Sequence, residues 1–189
     1  MSLTIQIQEN VMTDEQFFEF CQMNRDVRIE RTNNLIIIQS PQNSATGNFN
    51  VELGFELGIW NRRAKNGKVF DSSTGFTMPD GSVRSPDLSW ILNDKWEAID
   101  VEKRERFAPV CPDFLVEIRS KNDSLKILKK KMLNYIEFGC RLGWLIDRYE
   151  QKVYIYRNDG SISIVKSFDE KLSGEDVLVG FELDLRLFK

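Results

Sequence analysis

Two periods of hydrophobic and polar residues alternate along the chain, and the switches between them predict helix, strands, helix, strands: a mixed α/β (α+β) domain. Residues 13–24 show the helical period behind Thr13, an N-cap with Gln16 three positions later. "LIIIQ" at Leu35–Gln39 reads as a strand. "SPQNSATG" then reads as a turn feeding a second helix over 48–64. Strand patterns follow at 69–71, near Phe76, at 87–92 and at 113–119. A third helix over 124–138 stops at Gly139, and "LGWLID", "KVYIYR", "NDG" and "SISIV" read as a strand and a hairpin. No repeat or linker interrupts the pattern, so residues 1–189 are expected to form a single domain, with 1–32 a helical extension to a core at 33–188.

The pattern breaks at its acids. In "DFLVEIR", Phe114, Val116 and Ile118 share one face, and Asp113, Leu115, Glu117 and Arg119 the other. Glu117 is therefore central in a strand that looks buried on both sides, and a carboxylate there needs a partner. "DLSWIL" likewise turns Asp87 away from Leu88, Trp90 and Leu92. On the second helix, Phe49, Leu53, Leu57 and Trp60 form one apolar stripe and Val51, Phe55 and Ile59 another. Glu52 and Glu56 lie between the two, so they are expected to face inward. On the third helix, Leu125, Leu128, Met132, Tyr135 and Ile136 make the core stripe, with Lys131 and Lys129 at its edges.

Composition narrows the chemistry. The 189 residues include no histidine, which removes Ser-His-Asp and Cys-His catalysis, most zinc sites and the usual base near neutral pH. Three scattered cysteines suggest neither a disulfide framework nor a thiolate metal site, and a cytoplasmic location fits them. No apolar run approaches the roughly 20 residues that span a bilayer. Twenty-six basic against twenty-nine acidic residues, a net charge of −3, exclude a broad basic coat for nucleic acid but leave room for a local groove.

If Glu52, Asp87 and Glu117 converge, their repulsion is large: two unit charges about 4 Å apart cost about 4 kcal/mol at an effective dielectric near 20. A proton or a cation must offset it. Mg²⁺ (or Mn²⁺) accepts carboxylate, carbonyl and water oxygens without histidine, and leaves positions for a substrate phosphate. A nearby lysine adds positive charge where a phosphodiester under attack becomes more negative.

The helix acid, the aspartate opening one strand and the glutamate in the next resemble the PD-(D/E)XK restriction-endonuclease-like nucleases. "VRSPDLSWI", "CPDFLVEIRSKNDSLKILKKKMLNYIEFGCRLGWLID" and "KVYIYR" resemble the Uma-two restriction-endonuclease family over residues 33–188. That resemblance implies a central mixed β-sheet flanked by helices and a metal-dependent endonuclease acting on DNA. It implies Asp87 and Glu117 as metal ligands, Glu52 as the helix acid with Glu56 as substitute, and Lys131 as a lysine moved onto the following helix. Arg119 stands where the family motif's lysine is usual, and arginine cannot act as a base. Lys121 and Lys129 compete with Lys131, while Ser120 and Tyr135 are candidate hydrogen-bond partners for the acids. Asp113 shares a face with Glu117 but lies roughly 13 Å along the strand, too far to share one ion. Many DNA cleavers act as two-fold dimers, so a homodimer is the expected assembly. Two alternatives stay open: a nuclease fold kept for DNA binding or assembly without turnover, and a glycosidase built on paired carboxylates, which lacks a row of exposed aromatic platforms.

Overall fold

The computed structural model describes residues 2–7, 12–32, 34–39 and 41–189. The first part runs β1 (Ser2–Gln6), α1 (Asp14–Met23), β2 (Arg28–Arg31), β3 (Leu35–Gln39) and α2 (Ser44–Ala64). Next come β4 (Gly67–Asp71), β5 (Phe76–Thr77), β6 (Val83–Arg84), β7 (Leu88–Leu92), the short helices α3 (Asn93–Glu97) and α4 (Val101–Arg104), and β8 (Phe114–Ile118). Helix α5 (Leu125–Glu137) leads to β9 (Leu142–Asp147), β10 (Lys152–Arg157) and β11 (Ile162–Val165). The chain closes with β12 (Lys171–Ser173), β13 (Glu182–Asp184) and a 3-10 turn at Leu185–Phe188.

The larger sheet is ordered β11-β10-β9-β8-β7-β4. Only its β8–β9 pair is parallel among the described residues, and α5 makes the crossover that a parallel connection requires. A second, antiparallel sheet is ordered β1-β3-β2-β6-β5.

Strand β8 is buried along its whole length because both faces are covered. Phe114, Val116 and Ile118 pack with Leu88, Trp90 and Trp144 against Leu53 and Leu57 of α2. Leu115 packs on the opposite face with Met132 and Tyr135 of α5. The alternation read from the sequence is thus realised, with one helix on each face. Gly143 of β9 allows the close approach of α5: a Cβ there would lie 2.6 Å from the Met132 methyl carbon. No described helix is long and apolar enough to cross a membrane.

Three expectations need correction. Helix α2 begins at Ser44, not 48, because the supposed turn contains its cap: the Asn43 side chain accepts from the Thr46 N–H at 3.0 Å. Ser40, which opens that expected turn, lies outside the described residues. Residues 1–32 are not only helical, since β1 and β2 lie there and β2 is central to its sheet. The second apolar stripe of α2 does not enter the core: Val51 is 68% and Phe55 61% exposed.

Candidate active site

Antiparallel pairing of β7 with β8 puts Leu88 opposite Val116, so Asp87, one residue before β7, comes opposite Glu117. Pro86 holds the backbone before Asp87 in an extended form and keeps its side chain at the end of the strand. Asp87 Oδ2 accepts the Ile118 N–H at 2.8 Å, which ties the two strand ends together. Its Oδ1 accepts from Arg28 Nη1 and from Gln42 Nε2, both at 3.1 Å. Arg28 is itself fixed by Gln39 Oε1 at 2.7 Å and by the Ser72 carbonyl at 3.3 Å.

Glu117 points to the α5 face. Lys131 Nζ lies 2.8 Å from Glu117 Oε1, and the Tyr135 hydroxyl donates to that same oxygen at 3.0 Å. One helical turn separates Lys131 from Tyr135, so both reach one carboxylate from one face of α5. Lys131 also lies 3.0 Å from Glu30 Oε1, which accepts the Ser85 N–H at 2.9 Å. Glu30, Asp87 and Glu117 are all 4–5% exposed. Arg84 extends the positive wall, its guanidinium 5.5 Å from the centre of the Tyr135 ring.

Burial dominates the electrostatics of the cluster. Burial pushes the Glu117 carboxyl up to about 7, and the neighbouring Asp87 and Glu30 charges add to the rise that Lys131 opposes. Burial acts on Glu30 as well, but Lys131, the Ser85 N–H and Arg28 outweigh it and hold that carboxyl below its usual value. Lys131 resists its own burial because Glu117 and Glu30 raise its pKa and keep it an ammonium. Burial and the two glutamates raise the Tyr135 hydroxyl well above its usual value, so it is a neutral donor. The cations in direct contact with Glu30, Asp87 and Glu117 are Arg28 and Lys131, one fewer than the carboxylates, while Arg84 stands further off over the Tyr135 ring.

A dication suits that excess. Every donor is a hard oxygen, and Glu117 Oε2 has no hydrogen-bond partner among the described residues. No group of three or more His, Cys, Asp or Glu among the described residues is placed to hold a metal ion, so any ion here would rest on two carboxylates at most. Two carboxylates with the remaining positions left to water and substrate is the ligation typical of Mg²⁺.

The structure thus brings together Asp87, Glu117, Lys131 and Tyr135, and adds Glu30 and Arg28, which the sequence reading missed. It does not bring Glu52. Helix α2 packs on the opposite face of the sheet from the one to which Glu117 points, and Glu52 is solvent-exposed there. Glu56 is half-buried on that same helix, and neither acid has a hydrogen-bond or ion-pair partner among the described residues. Asp113 sits at the other end of β8, where Lys95 at 3.1 Å and the Leu92 N–H at 2.9 Å hold it. Arg119 turns away to Asp147 at 2.7 Å. Ser120 lies in the following turn with its N–H on Asp123, Lys121 is exposed, and Lys129 covers the Tyr154 ring at 4.0 Å.

A mixed sheet between helices, with the acids at one end of two adjoining strands, defines the restriction-endonuclease-like fold. A crystal structure of a "putative nuclease belonging to DUF820" from Anabaena variabilis has this fold, with a TM-score of 0.73 at 21% identity over 94% of this chain and 97% of that one. The chain belongs to the Uma2 family, described as "Putative restriction endonuclease", whose pattern matches residues 14–186. No functionally curated protein is recognisably similar to it.

Proposed function

We propose that the protein is a Mg²⁺-dependent endonuclease that hydrolyses DNA phosphodiester bonds at the cluster of Glu30, Asp87, Glu117 and Lys131. The supporting observation is the burial of three carboxylates with only Arg28 and Lys131 in direct ion-pair contact, and with Glu117 pushed up to about 7. Asp87 and Glu117 would hold the ion, which when bound supplies Lewis-acid polarisation of the phosphate and a more acidic water. Lys131, kept charged by two glutamates, offers its ammonium to a phosphate oxygen as negative charge builds there. Tyr135 fixes the Glu117 rotamer by its hydrogen bond. Glu30 aims Lys131 and ties it to the Ser85 backbone just before Asp87. Arg28 neutralises Asp87 through Nη1, and its Nη2, which has no hydrogen-bond partner among the described residues, is left to meet the phosphate backbone. Supercoiled plasmid incubated with Mg²⁺ or Mn²⁺ tests the proposal: cleavage is expected from the wild type and loss of it from Asp87→Ala and Glu117→Ala. Cleavage unchanged in both variants overturns the assignment.

A further inference from the structure

Adjoining the acid cluster through Arg28 and Ser85 lies a cavity of about 390 Å³ between α1, β2 and the loops carrying Ser73 and Phe107. Its walls are of two kinds. Arg25 and Asp26 stand at the rim together with Arg28, whose charge is shared with Asp87, and the Ser73 hydroxyl is among the polar groups. Phe107 and Cys21 form the apolar part, and burial pushes the Cys21 thiol up to about 11, so it is a neutral wall. Arg25 donates its Nε to the Gln22 carbonyl at 3.1 Å and has no acidic partner among the described residues, so the rest of its guanidinium is available.

An aromatic side, hydrogen-bonding groups and two arginines within three residues of each other match the parts of a nucleotide: base, sugar and phosphate. The volume falls within the range of about 300–1,000 Å³ usual for small-ligand sites. Arg28 lines the cavity and also bonds Asp87, so the cavity and the acids share a wall. We infer that the cavity is a subsite for one unstacked nucleotide of the substrate strand, its base against Phe107 and its phosphate between Arg25 and Arg28, an inference that rests on the nuclease reading above.

The test is binding without turnover. Fluorescein-labelled oligothymidylate is titrated with protein in EDTA at several KCl concentrations and followed by anisotropy. Arg25→Gln, at an exposed position, is expected to weaken binding about 5- to 10-fold and to flatten the salt dependence by about 0.7, the value of one lost phosphate contact on a single strand. Since Phe107 packs against Phe17 and Phe18 and its replacement could disturb the fold, its role is read on the wild type. An oligonucleotide carrying 5-iodouracil is photo-cross-linked and the attachment mapped by mass spectrometry, with Phe107 or Cys21 expected. No binding in EDTA, an Arg25→Gln variant with wild-type affinity and slope, or cross-links only elsewhere overturns the subsite. Plasmid cleavage with Mg²⁺ judges the hydrolase separately. A protein that binds and cross-links here but leaves DNA intact keeps the subsite and loses the hydrolase, and intact cleavage with an indifferent Arg25→Gln does the reverse.

Discussion

Replacing Glu117 by glutamine removes a carboxyl whose charged form burial disfavours, while leaving an oxygen to accept from Lys131 and Tyr135. The Glu117 carboxyl is raised from its ordinary 4.5 to about 7 in the folded protein. Below about pH 4.5 it is protonated in both states and has no effect on stability. Between about 4.5 and 7 the unfolded chain loses this proton and the folded one keeps it, so folding stability falls as pH rises. Above 7 the loss is complete, and a shift of this size corresponds to about 3 kcal/mol. The variant escapes it. The stability of Glu117→Gln relative to wild type should therefore rise by about 3 kcal/mol between pH 4.5 and 8, roughly 6–12 °C in Tm for a chain of this size. Circular-dichroism melts of both proteins in EDTA at pH 5, 6, 7 and 8 read the difference, in which other titrating groups largely cancel. A difference that does not change with pH, or that moves against the variant as pH rises, refutes the electrostatic account.

Adding Mg²⁺ at pH 8 should raise the wild-type Tm, by about 1.4 kcal/mol of stability at ten times Kd, and should leave Asp87→Asn unmoved; scanning fluorimetry checks it. Lys131→Met strands Glu30 and Glu117 without their shared cation, at an expected cost of about 3–5 kcal/mol at pH 8 by urea titration and less at pH 5. Glu52→Ala should change stability by under about 0.5 kcal/mol and leave plasmid cleavage intact, whereas Glu30→Gln should abolish cleavage. Gly67→Ala would bring a Cβ to 2.2 Å from the Trp90 indole and should cost about 1–3 kcal/mol by thermal melt.

What the sequence disclosed depended on how local the signal is. Strands β7 and β8 and helix α5 carry unbroken apolar periods, so their faces, and with them Asp87, Glu117, Lys131 and Tyr135, could be placed by counting. Strand β2, "RIER", has one apolar residue in four, and it holds its conformation through pairing with β3 and β6. Too little apolar pattern marks it as a strand, so Glu30 and Arg28 were hidden. The one available signal was the strand alternation itself, which puts Arg28 and Glu30 on one face and Ile29 on the other. Glu52 misled for the opposite reason: two apolar stripes on α2 imply burial on both, yet only the Phe49, Leu53, Leu57 stripe meets the sheet. The turn residues Gln42 and Asn43 were read as punctuation, although one reaches Asp87 and the other caps α2.

The central claim is that Asp87 and Glu117 together hold a divalent ion, and a crystal of the wild type soaked in Mn²⁺ addresses it most directly through anomalous scattering. One strong peak bridging the Asp87 and Glu117 carboxylates, with Lys131 still on Glu30, is the predicted result. A featureless map at that position from a soak that labels other acids, or a peak on α2 beside Glu52, contradicts it.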